Sequence, residues 1–380
     1  MESNSIIENI GLYVHIPFCR SKCRYCGFYS RPVENYDVER LIASVITELD
    51  NYSRVDSVQT VYIGGGSPSC LPAKELLKLI GYIQNRWKAT EEFTMECNPG
   101  QVNFEMLREI RNLGVNRISI GAQSFNQSEL EFLGRTHNVD DIFKAVTSAK
   151  KAGFENISID LIFAIPGSTI SSWRQNLLQA TRLGVSHIST YSLSYEDGTI
   201  LKQQLDTGAI QVVDEETDRA MYELAIKMFE SGGFEHYEIS NFAKPGFRCR
   251  HNMRYWQNKP YIGVGPAAAS CIGNRRTKNI ADIDKYIQAI ETNNSAAEEV
   301  VILSAGDIAS ETAVLNLRTA DGIDIEDYKQ RHGLDVCDVF AEPINRYRKL
   351  DFIAMEQNSV HLTKKALPIA DTILCDFIID

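Results

Sequence analysis

From about residue 11 to residue 205, short runs of apolar and β-branched residues alternate with longer stretches whose apolar residues return every three or four positions. The short runs, Leu12–Ile16, Gln59–Ile63, Phe93–Glu96, Arg117–Ile120, Ile157–Ile162 and His187–Tyr191, read as buried strands. The stretches between them read as amphipathic helices. Val38, Leu41, Ile42, Val45, Ile46 and Leu49 make one apolar stripe, and Leu76, Leu77, Leu79, Ile80 and Ile83 make another. Helix starts are marked by proline and polar capping residues at Leu71-Pro72 and Pro166-Gly167-Ser168-Thr169. Six strand–helix units in a row predict an α/β fold with a parallel sheet and outer helices, because parallel strands need a crossover connection. An incomplete barrel and an open doubly wound sheet both satisfy this pattern. In either, chemistry belongs just beyond the C-terminal strand ends.

Past residue 205 the pattern changes. Asp214–Glu230 reads as a helix and Phe234–Phe242 as a strand. A polar, aromatic loop follows through Tyr261, and Asn293–Ala296 reads as a linker. Residues 297–380 mix helical patterns with short strands, such as Phe352–Met355 and Ser359–Leu362, and predict a small α+β domain. The expected division is therefore residues 1–292, with a core of about 11–205 and an extension over 206–292, followed by residues 297–380.

Composition narrows the function. The 380 residues are 44% hydrophobic and 23% charged, as in ordinary globular proteins. A net charge of −11 gives no general positive field for nucleic acid or an anionic membrane, so neither is an expected partner. No apolar run reaches the roughly 20 residues of a membrane span, and Met1–Ser5 lack the basic and apolar regions of a signal peptide. The expected compartment is the cytoplasm.

Three of the nine cysteines crowd into eight residues, as Cys19, Cys23 and Cys26, on a loop leaving the first strand. A tight cluster in a large reduced protein points to metal rather than disulfides. Zinc would ask for four ligands, or three plus water. A 4Fe-4S cubane on three thiolates leaves one iron open, which can chelate the amino and carboxylate groups of S-adenosylmethionine. One electron from the cluster then cleaves the sulfonium to methionine and a deoxyadenosyl radical. A structural zinc loop and three unrelated thiols remain alternatives.

Residues near other strand ends suit a zwitterionic nucleoside ligand. Gly64-Gly65-Gly66-Ser67-Pro68 permits close backbone approach, or is only a tight turn. Glu96 could accept from a ribose hydroxyl. Gln123 and Arg135 could pair with polar parts of the ligand, and Asp160, among apolar neighbours, needs a partner. Each alone also reads as a structural ion pair. His15 reads as a core or supporting group, and His137 as one that orients Arg135.

Here a resemblance enters. Tyr13-Val-His15-Ile-Pro17-Phe18-Cys19, Tyr25-Cys26-Gly-Phe28, the glycine run and Ile118-Ser-Ile-Gly121-Ala-Gln123-Ser124-Phe125 resemble radical-SAM proteins related to oxygen-independent coproporphyrinogen oxidase. So do Leu133-Gly134-Arg135-Thr-His137, Asp160-Leu-Ile-Phe-Ala-Ile-Pro166-Gly167 and Tyr237-Glu238-Ile-Ser240-Asn241-Phe242. The resemblance implies a partial (β/α)6 barrel with a C-terminal helical or winged α+β domain, and cluster ligation by Cys19, Cys23 and Cys26. It places S-adenosylmethionine near Tyr13, Tyr25, Gly65, Gly66, Ser67, Glu96, Gln123, Arg135, Asp160 and Ser194. Ser67 stands where the family usually has Thr, which keeps the hydroxyl.

The true oxidases of that family carry a fourth cysteine two residues after the third, and an N-terminal extension. This chain has Phe28 at that position and reaches its first strand by about Leu12. Both departures resemble the HemW subgroup of heme chaperones, as does His251-Asn252-Met253-Arg254-Tyr255-Trp256, which fits that subgroup's proposed heme-binding motif. The subgroup implies a chaperone that binds heme, beside the cluster and S-adenosylmethionine, and delivers it to apo-hemoproteins of respiration. Dimerisation is one role open to the cluster. Imidazole is a common axial ligand to heme iron, so His251 is the candidate; the competing reading makes it a loop anchor. The alternative function is a radical enzyme acting on a tetrapyrrole, as coproporphyrinogen oxidase or in heme degradation.

Overall fold

The computed structural model describes residues 9–87 and 91–379; Met1–Ser5 lie outside these. The six expected strands are present as β1 (Ile10–Ile16), β2 (Val58–Gly65), β3 (Glu92–Cys97), β4 (Arg117–Gln123), β5 (Asn156–Phe163) and β6 (His187–Ser192). They lie side by side in chain order, each parallel to the next. An unbroken order has no switch point, so the doubly wound alternative falls away and the partial (β/α)6 barrel stands. The helices between them start where local chemistry says they should. Asp37 caps Val38–Asp50 by accepting from the Arg40 N–H, and reciprocal capping boxes open Val139–Lys151 and Ile170–Arg182.

The extension widens the sheet on both sides. Phe234–Phe242, read as one strand, is two: β7 (Glu235–Glu238) folds back at Ile239-Ser240 into β8 (Asn241–Ala243), which adds antiparallel to β6 and leaves β7 on the edge. β9 (Tyr261–Val264) joins β1 in parallel, and β10 (Ala269–Ile272), β11 (Arg275–Asn279) and β12 (Ala297–Ile302) follow antiparallel. Among the described residues the sheet has twelve strands, ordered β12-β11-β10-β9-β1-β2-β3-β4-β5-β6-β8-β7. β12 corrects the expected boundary: residues 297–302 belong to the large sheet. A second core begins with the Ala305–Leu317 helix, where Ala309, Tyr328, Phe340, Val360 and Phe377 pack together around a three-stranded antiparallel sheet. This is the small α+β domain. Among the described residues no helix is long and apolar enough to cross a membrane.

A second correction concerns the stretch read as loop through Tyr261. It contains a seven-residue helix, Arg250–Trp256. Periodicity misses it because its start is capped from elsewhere. The buried Glu92 carboxylate accepts from the Arg250 and His251 N–H groups, both at 2.9 Å.

Along β2 to β6 the outer positions are apolar and fully buried under the helices, as with Ile118, Ile120, Ile157, Ile159 and Ile188. The inner positions alternate with them and are mostly polar: Tyr62, Thr94 and Glu96, then Arg117 and Ser119, Ser158 and Asp160, His187 and Ser189. Register stacks them in rows, since Tyr62 pairs with Thr94, Thr94 with Arg117, Glu96 with Ser119, and Asp160 with Ser189. The barrel interior is thus a polar shaft opening at the C-terminal strand ends.

Candidate functional site

The shaft opens into a cavity of about 880 Å³. Cys19, Cys23 and Cys26 line its mouth, on the loop that leaves β1 and returns where the Arg31 N–H donates to the Pro17 carbonyl at 2.8 Å. All three are free and half-buried. Burial pushes the Cys19 thiol up to about 11 and raises that of Cys26, so without metal these groups hold their protons; ligation to iron would release them. Arg135 reaches across from the end of the Gln127–Leu133 helix. Its Nη1 lies 3.3 Å from the Cys23 Sγ, while its Nη2 donates to the Gly121 carbonyl at 2.9 Å. A cation already placed against a thiol suits a set of thiolates. Among the described residues no three His, Cys, Asp or Glu side chains close on one ion. A cubane takes each thiolate on a different iron and so fits this spread.

The glycine run is where the chain is tightest. A Cβ on Gly66 would lie 2.3 Å from the Phe18 carbonyl oxygen, and one on Gly65, at φ +106°, would lie 2.5 Å from the His15 ring. The glycines therefore press the end of β2 against the root of the cysteine loop. Ser67 continues this contact: its N–H donates to the Phe18 carbonyl at 2.7 Å, and its hydroxyl donates to Gln101 at 2.9 Å.

Glu96 ends β3 facing the cavity. It accepts from the Tyr62 hydroxyl at 2.8 Å and the Gly65 N–H at 3.0 Å, yet burial still raises its carboxyl to about 7. Asp160 is raised as well, chiefly by burial, and accepts from the Ser119 hydroxyl at 3.3 Å. Gln123 holds a left-handed φ of +65° at the end of β4. His137 donates from Nε2 to the carbonyl of Ala122, just before it, at 3.1 Å. It thus orients the backbone beside Gln123 rather than Arg135 itself.

The cavity gathers Cys19, Cys23, Cys26, Tyr25, Gly65, Gly66, Ser67, Glu96, Gln123, Arg135, Asp160 and Ser194. Two candidates stand elsewhere. Tyr13 is outside the wall; its hydroxyl bonds the His15 Nδ1 at 3.0 Å and its ring packs against Tyr62. His251 is 1% exposed, with Nδ1 on the Thr60 hydroxyl and Nε2 on the Tyr255 hydroxyl, both at 2.9 Å. Burial drives its pKa down to about 3. Both nitrogens are engaged by hydroxyls, which is the arrangement the anchor reading expects. Cys249 is likewise buried, its thiol near Glu92. The sequence reading passed over Tyr62, Arg117, Ser119 and Ser189, which also line the cavity, and took Asn252 only as part of the His251 motif. Their signal was the two-residue alternation of polar with β-branched positions in β4, β5 and β6.

A shaft of parallel strands with three cysteines at its C-terminal mouth defines a radical-SAM fold, and the chain belongs to the radical SAM superfamily: the superfamily model matches residues 13–179. The HemN C-terminal domain model matches residues 303–369. Within the superfamily the chain belongs to the family of the HemW proteins. It is 33% identical to the heme chaperone HemW of Lactococcus lactis over 97% of both chains. It is 32% identical to that of Bacillus subtilis over 96% of this chain and 98% of the relative. In fold it matches the coproporphyrinogen III oxidase HemN of Escherichia coli, with a TM-score of 0.85 at 21% identity over 99% of this chain and 91% of the oxidase.

Proposed function

We propose that this protein is a cytoplasmic heme chaperone, which carries a 4Fe-4S cluster on Cys19, Cys23 and Cys26, binds S-adenosylmethionine in the cavity, and delivers heme to apo-hemoproteins of respiration. The observation that carries the reading is likeness over nearly the whole length to proteins named heme chaperones. The cavity mouth supports it. Where the family's oxidases have a fourth cysteine, Phe28 stands 71% exposed, and Tyr191 across the mouth is 43% exposed. Two exposed rings beside a polar shaft suit a flat, largely apolar macrocycle better than bulk water.

The cluster, when bound, supplies an electron and an open iron to the sulfonium nucleotide. The chain's own residues supply the rest. Arg135 keeps positive charge beside the thiolates. Glu96, with two of its lone pairs taken by Tyr62 and Gly65, can accept from a ribose hydroxyl with those remaining. Gln123 and Asp160 offer polar contacts at neighbouring strand ends.

Hemin titration tests the reading. A stoichiometric absorbance change is expected, and heme recovered unchanged after anaerobic incubation with reductant and S-adenosylmethionine favours a carrier over a tetrapyrrole-modifying enzyme. No saturable change would overturn it. Because both His251 nitrogens are engaged, His251→Ala should leave hemin affinity within about threefold while lowering stability.

A further inference from the structure

The deepest part of the cavity holds a guanidinium that makes no ion pair at contact distance among the described residues. Arg117, at the start of β4, is 2% exposed and lines the cavity. Its Nε and Nη1 are buried without a hydrogen-bond partner among the described residues. A buried, unpaired guanidinium is costly, and native proteins keep one where an anion or ordered water meets it. Its natural candidates are otherwise occupied. Glu96 is held by Tyr62 and Gly65, Asp160 by Ser119, and Glu92 by the start of the Arg250–Trp256 helix.

Arg117 and Gly121 share the inner face of β4, four residues apart, so the Arg117 backbone stands about 13 Å before the strand position that meets Arg135. A group held there is not the group held at the cysteines. The same helix that turns His251 away presents Asn252 to the floor of the cavity.

We propose that the floor of the shaft is a second ligand subsite, in which Arg117, assisted by Asn252, seats the carboxylate of a slender organic acid. The planar fork of Arg117 matches a carboxylate. Glu96 and Asp160 line the same cavity, so a doubly charged phosphate is less favoured there than a singly charged carboxylate. The subsite is independent of heme binding at the mouth.

The test uses the 380-residue chain with its cluster rebuilt anaerobically. Thermal unfolding is followed with the sodium salts of acetate, butyrate and phosphate, each at about 20 mM against sodium chloride of equal ionic strength. Acetate or butyrate should raise Tm by about 2 °C in the parent chain and not in Arg117→Gln, with Asn252→Ala intermediate. Arg117→Lys, which keeps the charge but loses the fork, should retain less than half the shift, and carries the comparison if Arg117→Gln fails to fold. Equal shifts in parent and variants, or none beyond chloride in the parent, overturn the subsite. A larger shift with phosphate than with either acid overturns the assigned ligand class.

Discussion

Glu96 shows how a single side chain ties the site to the solution. Its folded-state carboxyl sits near 7, above the ordinary 4.5, so the fold favours the protonated form. That preference stabilises the protein fully below about pH 4.5 and is lost as pH rises through 7. Glu96→Gln removes the titration. Its stability relative to the parent should therefore improve between pH 5 and 8, by at most about 3 kcal/mol, read from denaturant midpoints at each pH. Gly66 makes a steric prediction. A methyl placed 2.3 Å from a backbone oxygen has no flexible partner to push aside, so Gly66→Ala should cost about 3 kcal/mol and reduce iron loading, measured by denaturation and metal analysis. Much of this scale was legible. The three cysteines, Glu96, Arg135 and Asp160 announce themselves by spacing and by charge among apolar neighbours. His251 did not: a histidine in a polar, aromatic motif looks the same whether its nitrogens point to a ligand or to Thr60 and Tyr255.

Among elements, the Arg250–Trp256 helix is the instructive one. It is too short to stand alone and has no capping side chain of its own. Glu92, more than 150 residues earlier, accepts from its first two N–H groups, and the Cys249 thiol lies 3.6 Å from the same carboxylate. Glu92→Ala should strand those donors and destabilise the chain by about 2–4 kcal/mol, seen as a lower denaturation midpoint. Iron loading should persist, because the cysteine loop lies at the opposite end of the strands. The six barrel strands, by contrast, were readable from local pattern. Each is buried on its outer face, and short runs with β-branched and apolar residues at every second position between capped helices leave little else for the chain to form.

At the scale of the molecule, the end of this helix is one of the places where the second core is fastened to the first. Arg331 donates from Nη1 and Nη2 to the carbonyls of Gln257 and Asn258, each at 2.9 Å, and Asn316 donates to the Trp256 carbonyl at 2.7 Å. Arg331→Ala should speed amide exchange over residues 257–262 about tenfold while β2 to β6 stay protected, as mass spectrometry of hydrogen exchange would show. The sequence by itself determined six strand–helix units, the cysteine loop and the existence of an appended α+β unit, because periodicity, caps and ligand spacing are local properties, whereas the unbroken order of the strands that makes them a partial barrel came from the tertiary structure. Only the tertiary structure decided that β12 belongs to the large sheet, that His251 is spent on its neighbours, and that Arg117 faces an open floor. Those outcomes depend on which residues far apart in the chain come within hydrogen-bond reach, and no local pattern encodes that distance.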